Sequence, residues 1–253
     1  NTSKNYSNSP VNLLGLYRET LKEDNKAIYL NEAIINIHYN KYPQGKLQRR
    51  DWKEWSYDDS YAFEFNYSQF DGFPNQFNSK GDRVQLIEAR STENWSKYGF
   101  KGSIVGGPLS ITSKDYPKYQ SDFLDSKNFN KYAYEKKGIE TVNGKVCHVI
   151  HFHPLETGKK MSFFLGRKLN RSIYVGKMYV DRSSFAIVRM EFQLAKNVDF
   201  GFYTPRIPLD YIVEIDYKNL SNVWSLDKIK LTQLRSYYQR LSDHKVLYES
   251  VQE

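Results

Sequence analysis

With 253 residues, of which 40% are hydrophobic, the chain can form one large β domain or two smaller domains with a packed core. Its formal net charge is +8, but the Lys and Arg residues are scattered, so we do not expect nucleic acid as a partner. Cys147 is the single cysteine, which excludes an intrachain disulfide and a cysteine-based metal cluster. No run of about 18 apolar residues exists, so no membrane-spanning helix is expected.

The first regular elements lie between residues 13 and 39. The segment 13–21 fits a helix and a strand equally well. In the segment 27–39, Ala33, Ile35, Ile37 and Tyr39 alternate with more polar residues, which predicts a half-buried strand. The polar stretch 22–26 then forms a hairpin loop between the two segments.

An aromatic-rich stretch at 44–81 interrupts this pattern, and we interpret it as an insertion. Two readings remain open: an interaction loop at 51–78 that binds a protein or a glycan, or an insertion that packs its rings onto the sheet. The candidate interaction residues are Trp52, Trp55, Tyr61, Phe70 and Phe73.

Beyond the insertion, residues 83–90 read as a strand and residues 115–124 as a short helix capped by Ser113 or Asp115. The dipeptide Asn143-Gly144 separates two strand-like runs at 132–142 and 145–152. Asn-Gly suits a type I′ turn, in which both central residues have positive φ, so a β-hairpin is predicted here.

A second hairpin spans 176–194 around a polar turn at 181–184. In its second strand Ala186, Val188, Met190, Phe192 and Leu194 share one face. The other face, which is expected to meet water, carries Ile187, Arg189, Glu191 and Gln193. Further strands are predicted at 210–218, 224–238 and 245–251.

Consecutive hairpins predict an antiparallel meander, and so many strands with few helices should curl into a half-barrel. The predicted fold class is therefore mainly β: a curved antiparallel sheet with one or two short helices, in a single domain covering 1–253.

Few residues form a pattern that suggests catalysis or metal binding. His151 and His153 share a strand face and could chelate a metal, which leaves a metal-dependent hydrolase as an alternative function. No zinc-peptidase signature, nucleophile elbow or phosphate-binding loop accompanies them. We expect no cofactor, no catalytic residues and no enzymatic activity.

Several short motifs resemble a C-terminal module found in Bacteroidetes proteins labelled carboxypeptidase-like regulatory domain-containing proteins. They are Gly15-Leu16-Tyr17-Arg18-Glu19, Leu30-Asn31-Glu32-Ala33, Gly106-Gly107-Pro108, Asp122-Phe123-Leu124, Tyr132-Ala133-Tyr134, and Tyr179-Val180-Asp181 followed by Ala186-Ile187. The resemblance implies that 13–21 is a strand, and that the chain is part of a larger exported protein in the periplasm or at the outer membrane. It also implies a fold similar to the LolA and LolB lipoprotein carriers, which bind acyl chains in a hollow.

From this resemblance and the one-sided apolar pattern, we expect a non-enzymatic envelope protein that binds a lipid, a lipopeptide or another apolar ligand on the concave sheet face. An envelope protein is a further possible partner. An open concave face favours the ligand hypothesis, and a hollow fully filled by Tyr and Phe side chains would rule it out. The candidate ligand-binding residues are Val188, Met190, Phe192, Tyr211, Val213 and Ile215.

Overall fold

The computed structural model describes residues 5–7, 9–23, 26–41, 76–77, 82–91, 114–119, 122–155, 174–195, 208–239 and 242–252. One short helix, α1, covers Tyr116–Tyr119, and single 3-10 turns cover Asp122–Leu124 and Phe129–Lys131. The strands are β1 Val11–Glu23, β2 Lys26–Tyr39, β3 Gln76–Phe77, β4 Arg83–Ser91, β5 Tyr132–Val142, β6 Lys145–Pro154, β7 Tyr174–Asp181, β8 Ile187–Leu194, β9 Pro208–Leu220, β10 Val223–Gln239 and β11 Ser242–Gln252.

These strands form one antiparallel sheet in the order β3-β4-β2-β1-β11-β10-β9-β8-β7-β6-β5. From β5 to β11 each strand pairs with the next in sequence, which confirms the predicted meander. The segment 13–21 belongs to β1, so it is a strand. Pairing of β1 with β11, in the register Tyr17↔Gln252, brings the two ends of the chain together in the sheet.

Two tight turns have both central residues at positive φ. Asn143 and Gly144 have φ values of 50° and 72° between β5 and β6, which confirms the predicted type I′ turn. Between β9 and β10, Ser221 and Asn222 also have positive φ, 52° and 71°. Asn219 Oδ1 accepts a hydrogen bond from the Asn222 amide at 2.9 Å and stabilises this second turn.

On β2 the side chains alternate as predicted, with one face buried. On β2 the predicted apolar set Ala33, Ile35, Ile37 and Tyr39 is at most 3% exposed. We call this buried side the inner face and the opposite side the outer face.

A β-bulge changes the predicted alternation at the start of β8. Tyr179 pairs with Arg189, but Val180 pairs with Ile187, so Val188 is the extra residue. As a result Ile187 and Val188 are both buried, although the regular pattern placed Ile187 on the wet face. Arg189 lies on the opposite face as predicted, half-buried in ion pairs with Glu191 of its own strand and Asp216 of β9.

The predicted helix at 115–124 is much shorter than expected. Its α-helical part is the four residues of α1, and a 3-10 turn follows at Asp122–Leu124. Asp115 is the cap, because its Oδ1 accepts a hydrogen bond from the Lys118 amide at 3.3 Å. Ser113 lies outside the described residues.

The sheet curves around this segment. Tyr39 on β2 and Tyr217 on β9 both donate hydrogen bonds to the Asp115 carboxylate, although four strand spacings separate β2 from β9 in the sheet order. At about 4.8 Å per spacing, a flat sheet would hold their backbones about 19 Å apart. Side chains stand roughly perpendicular to a sheet, so both can meet one carboxylate only if the sheet is concave on this side.

Candidate functional site

Helix α1 and the 3-10 turn Asp122–Leu124 lie against the concave inner face, and we call these two elements, with Asp115 before them, the plug. The ring centroid of Tyr116 is 4.8 Å from that of Phe192 on β8. Phe123 stacks on Phe152 of β6 at 4.0 Å and meets Phe192 edge-on at 5.3 Å. The plug therefore covers β6 and β8 with aromatic rings.

The structure places the predicted ligand-binding residues on this inner face. Their exposed fractions are 2% or less for Val188, Met190, Phe192, Val213 and Ile215. The backbone of Tyr211 lies in β9, and its side chain is outside the described residues. Around these residues the inner face is covered by the rings of Tyr116 and Phe123, which argues against an open hollow in this conformation. A ligand role for the five residues stays a prediction.

The carboxylate of Asp115 joins the plug to strands on both sides of the hollow. Its Oδ1 accepts a 2.6 Å hydrogen bond from Tyr217 Oη, and its Oδ2 accepts one from Tyr39 Oη. All three side chains are buried. Hydrogen bonds to a carboxylate are stronger than neutral ones, and a buried charge needs them, so this contact fixes where the plug sits.

A buried ion pair makes a second polar contact between the plug and the sheet. Lys118 Nζ lies 2.6 Å from Oδ1 of Asp82, which also accepts a 2.8 Å hydrogen bond from the Asn40 amide. The ammonium group is also 3.2 Å from the ring centroid of Tyr39, which adds a cation–π contact. Both charges are 3% exposed or less, so each depends on the other for compensation.

Tyr6, near the start of the chain, contacts both β8 and Tyr217 beside the plug. Its Oη donates to the Ile187 carbonyl at 2.9 Å and accepts from the Ile187 amide at 3.1 Å, which satisfies the start of β8 before its pairing with β9 begins at Arg189. Its ring meets that of Tyr217 edge-on at 5.5 Å. Burial, and secondly the negative charge of Asp115, raise the pKa of Tyr6 well above its usual value, so the phenol stays protonated as a donor.

Sequence reasoning identified Asp115 as a helix cap but missed its two tyrosine partners. Tyr39 and Tyr217 lie 76 and 102 residues away from it in sequence. A tyrosine in an alternating strand is indistinguishable from an ordinary core residue, so no local signal marks this network.

The two candidate metal-binding histidines lie on the outer face, away from the plug. His151 and His153 are both exposed on β6, and His151 pairs with Glu135 of β5. In the part of the chain that the structure describes, no group of three or more His, Cys, Asp or Glu side chains is placed to hold a metal ion. The geometry therefore gives the hydrolase alternative no support.

The predicted interaction residues Trp52, Trp55, Tyr61, Phe70 and Phe73 lie outside the described residues. Of the insertion at 44–81, the structure describes only the two residues of β3. The interaction loop at 51–78 thus stays a prediction. None of the described helices is long and apolar enough to cross a membrane.

No protein-family model and no curated protein matches the chain. Solved structures show weak similarity, among them the following three. A DUF1329 family protein from Desulfovibrio piger shares 10% identity at a TM-score of 0.30, covering 94% of this chain and 85% of its own. A putative outer membrane lipoprotein-sorting protein domain from Vibrio parahaemolyticus also has 10% identity and a TM-score of 0.30, with coverages of 95% and 83%.

A LolA superfamily protein from Nitrosomonas europaea has 9% identity and a TM-score of 0.29, with coverages of 100% and 89%. Such scores do not carry an inference about function. The mainly antiparallel β fold is established by the strand pairing itself.

Proposed function

We propose that this protein is a non-enzymatic binding protein of the bacterial cell envelope that takes up an apolar ligand, such as a lipid or lipopeptide, on its concave sheet face. The observation that carries the proposal is the apolar inner face around Phe152 and Phe192, which is covered by the rings of a short segment that is not a strand of the sheet. The motif resemblance supports an exported location in the periplasm or at the outer membrane. Pairing of β1 with β11 supports a single domain.

The plug contacts the sheet through the kinds of interaction that an apolar ligand could replace. Tyr116 and Phe123 contact the sheet through rings, as an apolar ligand would. The hydrogen bonds that tie the plug to the strands come mainly from side chains, at Asp115 and Lys118. Because the face is filled in this conformation, a ligand can bind only when the plug moves, and the free energy of the plug contacts lowers the apparent affinity.

Displacement of a fluorescent fatty acid tests this proposal, with the wild type compared with Asp115→Asn. The amide weakens the two tyrosine hydrogen bonds and loosens the plug, so we expect Asp115→Asn to bind the probe about tenfold more tightly. Asp227→Asn is the matched control, since this aspartate is exposed and pairs with Lys218 away from the plug. If neither the wild type nor Asp115→Asn binds the probe, the proposal is wrong.

A further inference from the structure

The outer face of the sheet changes character from one end to the other. Over β7 to β9 it carries paired charges: Lys177 lies 3.0 Å from Glu191, and Arg189 lies 2.8 Å from Glu191 and 3.8 Å from Asp216. These charges pair with one another and are solvated by water, so this part of the outer face needs no binding partner. The outer face of β1, β2 and β4 is built differently.

Four aliphatic side chains form an exposed patch on that second region, which we call the outer apolar patch. Its members are Leu14 (75% exposed), Leu16 (40%), Ile34 (39%) and Ile87 (56%). Leu16 pairs directly with Ile34, and directly paired side chains in a sheet contact one another. A contiguous exposed apolar area of this kind marks an interaction surface, whereas scattered exposed residues do not.

A bulge aims one member of the patch outward. Ile34 pairs with Glu88 and Ile35 with Leu86, so Ile87 has no partner on β2 and is left over in the register. A regular strand would have turned one of two successive residues inward. Here Ile87 and Glu88 are both exposed, and Glu88 places one carboxylate beside Ile34.

Arginine side chains border the patch along the strands. On one side Arg18 and Arg90 each place Nε 2.6 Å from a carboxylate oxygen of Glu32, which leaves this triad one positive charge in excess. Their side chains are still 52% and 82% exposed, so both guanidinium groups retain donors toward solvent. On the other side, in the row of Asn12 and His38, lies the exposed Arg83. The three arginines Arg18, Arg83 and Arg90 still outnumber the two carboxylates Glu32 and Glu88 on this part of the outer face.

We propose that the outer apolar patch docks the protein on an anionic lipid bilayer surface. Aliphatic side chains enter the headgroup boundary, while the arginines at either end donate to lipid phosphates. Protein interfaces concentrate aromatic anchors, and the patch has none among its members, so its composition favours a lipid surface over a protein partner. This inference does not depend on a ligand binding the inner face.

Vesicle flotation of the full chain tests it, with vesicles of phosphatidylcholine alone and with about 30% phosphatidylglycerol added. The wild type should float with the anionic vesicles, less at 500 mM salt, and much less with the neutral ones. Leu14→Ser/Ile87→Ser should bind about tenfold more weakly, because these are the two most exposed members of the patch.

Ile212→Ser/Val223→Ser is the matched control, since it removes two exposed aliphatic side chains, 36% and 38% exposed, from β9 and β10. It should float like the wild type. Thermal melting checks that both double variants fold. Because all four residues are exposed, we expect only small changes in melting temperature. The proposal is overturned if the wild type floats with neither vesicle, which would point to a protein partner, or if both double variants lose binding equally.

Discussion

Tyr217 Oη donates a 2.6 Å hydrogen bond to Oδ1 of Asp115, and so ties strand β9 to the plug across 102 residues of sequence. Both side chains are buried, so water does not compete for this hydrogen bond. Together with the Tyr39 hydrogen bond to the other carboxylate oxygen, it decides which segment fills the hollow of the sheet.

Replacing Tyr217 with Phe should lower the free energy of unfolding by about 1–3 kcal/mol, because the buried Asp115 carboxylate loses one of its donors. Urea-induced unfolding measures this loss. Tyr134→Phe is the matched control: its hydroxyl donates to the neutral Phe123 carbonyl and its side chain is 38% exposed, so its loss should be smaller. An equal loss in the two variants would contradict a special role for the charged acceptor.

Breaking the buried Lys118–Asp82 pair should lower the free energy of unfolding more than Tyr217→Phe does. Lys118→Met removes the ammonium partner of the buried Asp82 carboxylate, with an expected loss of about 3–5 kcal/mol in the free energy of unfolding. Adding Asp82→Asn removes that charge while keeping an acceptor for the Asn40 amide, so the double variant should recover much of the stability. A double-mutant cycle in urea checks this coupling, and additive losses would refute it.

Two glycine substitutions should differ in the stability that they cost, because the new Cβ meets a neighbouring strand in one and open space in the other. In Gly176→Ala the new Cβ would lie 2.2 Å from the Glu191 carbonyl oxygen, which forces β7 and β8 apart. We expect a loss of about 3 kcal/mol or more. Gly144→Ala meets no atom within 4 Å but retains a φ of 72°, so it should cost only about 1–2 kcal/mol. Thermal unfolding should rank the two variants in this order.

The turn between β7 and β8 should make stability depend on pH through Asp181. Burial alone would raise the pKa of this carboxyl, but hydrogen bonds from Ser183 and Ser184 outweigh it and lower the pKa below its usual 3.8. A lowered folded-state pKa stabilises the fold above pH 3.8, and this contribution disappears as the pH falls through the folded-state pKa.

Asp181→Asn should therefore be less stable than the wild type near pH 6, by about 1 kcal/mol, and the difference should shrink in increasingly acidic solution. Urea unfolding at a series of pH values checks this dependence. Asp227→Asn, at an exposed aspartate paired with Lys218, should show a much smaller effect. If the difference in free energy of unfolding between Asp181→Asn and the wild type stays constant from pH 6 into the acid range, the role assigned to the carboxylate is wrong.

Much of the strand pattern was predictable, because alternation and turn chemistry are local. The set from Ala33 to Tyr39 is buried as predicted, and Asn143-Gly144 has the positive φ values expected of it. The error at Ile187 arises from a bulge, which depends on how β8 pairs with β7 and not on the residues of β8 alone. The helix was predicted too long, because the rings of Tyr116 and Phe123 are positioned by the sheet rather than by helical spacing.

The sequence by itself determined the mainly β fold, the meander from β5 to β11 and the apolar face that includes Met190, Phe192 and Val213. Each follows from residues that are neighbours along the chain. Only the tertiary structure decided that this face is filled, that Asp115 meets Tyr39 and Tyr217, and that Leu14, Leu16, Ile34 and Ile87 form one exposed patch. These relationships depend on strand order and curvature, which join residues that no local pattern connects.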